Sequence, residues 1–212
     1  MELQNVTLAE LTERIAEKSP APGGGSSAAA AGALAAALVC MVARLTDGKP
    51  GYESIGSRAG EILARGEELR RQLLENVQKD AESYEGYREA LRLPKDTEEQ
   101  KAHRQGTMEE TLKDACNVPM DIAKASLEAL ALAKELVEGG LAQAASDSMV
   151  AVLLARAAVL GAAGNIRLNL RDIRDTQFNT KMETDCEALE RQANEAEHEA
   201  DALLRKRIKG EG

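Results

Sequence analysis

The chain has 212 residues, a formal net charge of −9 from 27 basic and 36 acidic side chains, and only 2% aromatics with no Trp. That length supports one sizeable core, and an acidic chain without a basic block is a poor match for nucleic-acid phosphates. Strand-forming β-branched and aromatic residues are sparse beside alanine and leucine, so packed helices are expected rather than sheets.

The spacing predicts a first helix over 7–18. Thr7 can cap it, with Glu10 three residues later as in a capping box, and Leu8, Leu11 and Ile15 share a face. Pro20 and Pro22 end it. A second helix is expected over 26–45, within "SPAPGGGSSAAAAGALAAALVCMVARLT", where no charge falls between Lys18 and Arg44. This run is long enough to span a bilayer. Its alanines are barely hydrophobic enough for insertion, its glycines are frequent, and no basic segment introduces it. The other apolar run, "SMVAVLLARAAVLGAAG", is cut by Arg156. No membrane partner is expected.

"TDGKPG" breaks the chain, and a long helix follows over 53–91. Leu69, Leu73, Asn76, Asp80, Tyr84, Tyr87 and Leu91 recur at steps of three and four, so they share one face. After "LPKDT", Thr97 and Gln100 form a second capping box. Pro119 should kink or restart the helix that follows, and Gly139-Gly140 should end it. Ser146 or Asp147 is the expected cap of a nearly all-apolar, hence buried, helix reaching about residue 170. The last helix carries Met182, Cys186, Leu189, Ala193, Ala196, Ala200 and Leu203 as a heptad seam. The fold expected is all-α: a single domain over 1–212, a bundle of six or seven mostly antiparallel helices.

Cys40, Cys116 and Cys186 are odd in number and far apart, with no CxxC and no Cys/His cluster. That argues against a disulfide framework and a zinc site, and for reduced cysteines in a cytoplasmic protein. His103 and His198 read as solvated helix positions.

Four groups of residues are candidates for chemistry. No Lys follows the glycines of "PGGGSS", so Gly23, Gly24 and Gly25 do not form a P-loop. They are either a close-packing device or an anion-binding helix N-terminus. Asp80, Tyr84 and Tyr87 lie on a stripe whose upstream members are apolar, where a carboxylate is costly unless paired or useful. A network between helices is the alternative. Asp147, Asn165 and Asn169 share a stripe of the buried helix. At about 1.5 Å rise per residue, Asp147 lies roughly 27 Å from Asn165, so one ligand touches both only if a second subunit returns one of them. Lys95 and Arg104 are exposed cations or contacts for an anionic ligand tail.

Together these motifs resemble the cyclodeaminase/cyclohydrolase family of folate enzymes. The resemblance rests on the glycine–alanine opening, then "DAESY" at 80–84, "LPKDTEE" at 93–99, "NVPMDIA" at 117–123, "SD" at 146–147 and "NIRLN" at 165–169, over about 19–175. The family pattern commonly has Thr where this chain has Ala21, and a Gly-Asn pair before "SD" where this chain has "EGGLAQAA".

The resemblance implies an all-helical homodimer acting on a tetrahydrofolate derivative, with no metal and no further cofactor. Asp80 would act as electrostatic stabiliser or general base, and Tyr84 or Tyr87 would pack on the pterin. Asp147, Asn165 and Asn169 would position ligand or water. Lys95 and Arg104 would attract the glutamate tail, and the Gly23–Gly25 turn would help. Hydrolysis of 5,10-methenyltetrahydrofolate to 10-formyltetrahydrofolate is favoured, because no formiminotransferase domain accompanies the chain. Formiminotetrahydrofolate cyclodeamination and a non-catalytic folate-binding protein are the alternatives.

Overall fold

The computed structural model describes residues 2–210. Among them are seven α-helices: α1 (Leu8–Ala16), α2 (Gly24–Thr46), α3 (Gly56–Leu91), α4 (Glu98–Asp114), α5 (Asn117–Gly139), α6 (Ala145–Leu170) and α7 (Thr176–Lys209). Each begins and ends for a local reason. Both expected capping boxes form: Thr7 with Glu10 opens α1, and Thr97 with Gln100 opens α4. The chain restarts at α5 around Pro119, and Gly140 follows its last turn. Asp175 caps α7 by accepting from the backbone N–H groups of Gln177 and Phe178, at 3.1 and 3.0 Å.

α1 ends at Ala16 and α3 begins at Gly56, two and three residues inside their expected bounds, and two further expectations shift. α2 begins at Gly24, two residues early, so part of the glycine run is helical. Neither Ser146 nor Asp147 caps α6. A 3-10 turn over Ala142–Ala144 feeds the helix directly, Ala144 takes the cap position, and Asp147 lies within the first turn. There its negative charge still favours the positive end of the helix dipole.

Side-chain pairs fix the packing directions. Gly25 faces Asp80, Gly32 faces Leu73, and Gly66 faces Cys40, so α2 and α3 run antiparallel. Gly24 faces Asn165 and Gly161 faces Ala28, so α6 is antiparallel to α2. Arg58 pairs with Glu135 and Arg65 with Glu128, tying α3 antiparallel to α5. Arg156 reaches Asn194, and Arg167 reaches Glu183 and Glu190, setting α7 antiparallel to α6.

α2 is the hub, touching α3, α5 and α6. Its alanines Ala29, Ala33, Ala36 and Ala43 are buried, and so short a side chain lets three neighbours close around one helix. On α7, Met182, Cys186, Leu189, Ala193 and Ala200 of the expected seam are buried, while Ala196 and Leu203 are half-buried against the core. α2 and the 142–170 segment are long and apolar enough to cross a membrane, yet each buries about half of its apolar window inside the bundle. The three cysteines are free, and burial pushes each thiol up to about 11, so they stay protonated near neutral pH. His103 and His198 are exposed, as expected.

Candidate functional site

The antiparallel packing brings the start of α2, the second half of α3 and the end of α6 to one end of the bundle. There they enclose a cleft of about 190 Å³. Gly23, Gly24, Gly25, Asp80, Tyr84, Tyr87, Asn165 and Asn169 all line it. Eight of the eleven sequence candidates, drawn from three separate segments, thus share one pocket.

Asp80 sits at its heart. Gly25 approaches it so closely that any Cβ there would overlap the carboxylate. The next residue, Ser26, is fully buried. Its hydroxyl lies 3.0 Å from Asp80 Oδ2 and 3.0 Å from the Val77 carbonyl, and its single proton can go to either acceptor. Burial pushes the Asp80 carboxyl above its usual range, while hydrogen bonds from the Ser26 hydroxyl and backbone N–H oppose that rise. The N-terminus of α2 adds its partial positive charge on the same side. A desolvated carboxylate held this way is poised to face a cation or to take a proton.

The opposite wall carries amides. Asn169 donates to the Ala115 carbonyl at 3.2 Å, which fixes its orientation. Asn165 Nδ2 is buried without a hydrogen-bond partner among the described residues. An unpaired donor costs free energy unless an acceptor arrives, so Asn165 marks where a polar ligand atom belongs. The Tyr84 and Tyr87 rings lie 6.1 Å apart at 51°, so they form two inclined walls, and one flat ring can pack on only one of them at a time.

Lys95 and Arg104 line a neighbouring cavity of about 390 Å³ with Asp172. Tyr87 lines the cleft and feels the charges of Asp172 and Arg104, which line the second cavity. Burial raises its pKa, Asp172 and Tyr84 add to the rise, and Arg104 opposes it. Arg104 also donates to the Leu91 carbonyl at the end of α3, which holds its guanidinium in place.

Asp147 is the candidate left apart: it lies at the other end of α6, outside both spaces. Sequence reasoning also missed residues. Ser26 was read only as the start of a helix. Leu168 lines the cleft although it is largely exposed. Among the described residues, no group of three or more His, Cys, Asp or Glu side chains gathers as a metal site.

Against known proteins, the formiminotransferase-cyclodeaminase family model matches residues 7–188. The chain belongs to this family. One family member, the methenyltetrahydrofolate cyclohydrolase of Methylorubrum extorquens, is 36% identical over 185 residues, 87% of this chain and 89% of that protein. The formimidoyltransferase-cyclodeaminase of Gallus gallus is 34% identical over 200 residues, 94% of this chain but 37% of that protein, so the chain spans about a third of that longer relative. The crystal structure of formiminotetrahydrofolate cyclodeaminase from Thermotoga maritima matches with a TM-score of 0.88 at 30% identity, covering 98% of this chain and 100% of that one. The family membership and all-α bundle expected from the ordered motifs are borne out.

Proposed function

We propose that the protein hydrolyses 5,10-methenyltetrahydrofolate to 10-formyltetrahydrofolate. The observation that carries this reading is Asp80, a half-buried carboxylate set between the N-terminus of α2 and an unpaired amide donor. The substrate's reactive carbon sits in an N5–C–N10 amidinium cation. An adjacent carboxylate lowers the cost of holding that cation out of water and accepts a proton as water adds to the carbon. The resulting carbinolamine loses its hydroxyl proton as the C–N5 bond breaks and N5 is protonated. Methenyltetrahydrofolate and water thereby give 10-formyltetrahydrofolate and one proton. Tyr84 or Tyr87 packs on the pterin, Asn165 and Asn169 hold polar ligand or water atoms, and the Gly23–Gly25 turn lets the ligand approach the backbone. Lys95 and Arg104 attract the glutamate tail in the neighbouring cavity. No metal or further cofactor enters this scheme.

The Methylorubrum relative, similar over nearly its whole length, favours hydrolysis. The Thermotoga relative supports a second reading, in which N10 attacks a formimino carbon and ammonia leaves to form the methenyl bridge. One sample tests both. Methenyltetrahydrofolate absorbs in the near ultraviolet and its hydrolysis product does not, so protein-dependent decay of the band supports hydrolysis. A rising band with formiminotetrahydrofolate supports cyclodeamination. Neither change would leave a folate-binding protein without activity.

We further propose that residues 1–212 act as one domain in the cytosol, where three unpaired thiols stay reduced. A homodimer is the working unit. Its interface is the exposed apolar face that α2 and α6 present together.

A further inference from the structure

α4 runs into α5 with almost no break. Ala115 and Cys116, which join them, both keep helical backbone angles, and the N–H of Met120 donates to the Cys116 carbonyl at 3.2 Å. One rung of the ladder is missing. In a helix the Ala115 carbonyl accepts from the N–H of residue 119, and that residue is Pro119, which has none. A proline ring also presses the carbonyl four residues back away from the helix axis.

Ala115 and Pro119 are both buried, so this carbonyl needs a partner from the protein. α6 supplies it. Asn169 Nδ2 donates to the Ala115 carbonyl at 3.2 Å, from 54 residues further along the chain. A carbonyl admits only the donor end of an amide. The fully buried Cys116 thiol lies beside the same amide. With Nδ2 committed to this wall, Oδ1 is the end that Asn169 offers to the cleft, which it lines together with Ala115 and Pro119. Asn165, one turn earlier on α6, differs. Its Nδ2 has no partner among the described residues, so its amide is not preset.

We propose that Pro119 is a positioning residue for the folate: by withholding one N–H it leaves the Ala115 carbonyl to orient Asn169, so that Asn169 Oδ1 stands as a fixed acceptor for an N–H of the pterin ring. This rests on the folate reading above and deepens it. A tetrahydropterin carries N–H donors on its exocyclic amine and on ring nitrogens, and Tyr84 and Tyr87 line the same cleft. A preset acceptor takes such a donor without the cost of ordering a free side chain. A ring carbonyl at the same spot would meet acceptor on acceptor, so only a donor edge of the ring suits it.

Kinetics of single and double variants test it. Pro119→Ala restores an N–H that claims the Ala115 carbonyl for the helix and releases Asn169. KM should rise on the order of tenfold, as for one lost hydrogen bond to a ligand, with kcat changed far less. Asn169→Ala should raise KM at least as much, and adding Pro119→Ala to it should raise KM no further, because the proline acts through Asn169. A purely structural proline would instead change KM by the same factor with or without Asn169. Asn169→Asp keeps the shape and an acceptor but has no donor for the carbonyl. Its KM should rise to a similar extent, although a negative charge by itself attracts a cationic substrate. An unchanged KM in Pro119→Ala or in Asn169→Asp, or effects that multiply in the double variant, overturns the proposal, and if Pro119→Ala does not fold, Asn169→Asp decides alone. If the wild-type protein turns over neither folate, the functional reading fails, and NMR still reports the hold. The Asn169 Nδ2 protons should exchange slowly with solvent in the wild type and faster in Pro119→Ala, and equal exchange in the two overturns the hold itself.

Discussion

Gly25 packs against Asp80 so tightly that a Cβ at Gly25 would overlap the Asp80 carboxylate, whereas a Cβ at Gly24 would rest 3.6 Å from Asn165 Oδ1 in ordinary contact. Neither glycine has a positive φ. The need at residue 25 is space for a carboxylate, not backbone freedom. Gly25→Ala must displace Asp80 or the start of α2, and a displacement of about 1 Å in a reacting group costs on the order of 100-fold. We expect that loss in kcat/KM, with a far smaller loss for Gly24→Ala. Equal effects of the two substitutions would mean that the turn serves only packing.

Asp80 should set activity and stability against each other. Its folded pKa is raised, chiefly by burial. A raised carboxyl contributes stability that is full below the unfolded pKa and lost as pH rises through the folded pKa. Turnover needs the ionised form, so kcat/KM should rise with pH through the same raised pKa. Asp80→Asn should cut turnover by 100-fold or more, while its melting temperature at neutral pH rises above that of the wild type. Near-normal kinetics would remove Asp80 from the mechanism, and a lowered melting temperature would contradict the sign argued from burial.

Ser26→Ala tunes the same group without removing it. The hydroxyl's bond to Asp80 Oδ2 favours the ionised carboxylate. Without it the Asp80 pKa should climb further, and the acid limb of the pH profile should move to higher pH while the alkaline plateau changes little. An unmoved limb would mean that the Ser26 proton goes to the Val77 carbonyl instead.

The legible parts of this molecule were those governed by local rules. The capping boxes at Thr7 and Thr97, the restart at Pro119 and the stop at Gly140 depend on residues within one turn, and each was readable from spacing. The polar positions of α3 and α6 were readable because a carboxylate or amide on an apolar stripe needs a reason. Ser26 was not. A serine at a helix start reads as a cap, and its partner lies 54 residues away. The start of α6 was misread because Ser146 and Asp147 suit a cap, yet the 3-10 turn before them leads straight into the helix. The α2–α6 surface was hidden for a different reason. An all-apolar helix reads as buried all round, and only the packed bundle reveals which side has no neighbour.

Deeper in the bundle, Gly32 marks where α2, α3 and α5 meet. A Cβ there would lie 2.5 Å from Ser126 Oγ and 3.1 Å from Leu73 Cδ2. Leu73 is fully buried, and Ser126 Oγ has no hydrogen-bond partner among the described residues. Gly32→Ala gains up to about 1 kcal/mol in helix propensity, but overpacking of this kind costs about 1–3 kcal/mol. We expect net destabilisation, read as a lower urea midpoint with an unchanged slope. Ser126→Ala alone should be close to neutral, because the oxygen it removes is buried and unpaired. The double substitution exchanges that oxygen for the new methyl group at nearly constant volume and should return the midpoint close to wild type. Such recovery is a coupling on the order of 1–2 kcal/mol between two contacting sites, and simple additivity of the two single effects would show that the clash is relieved by helix movement instead.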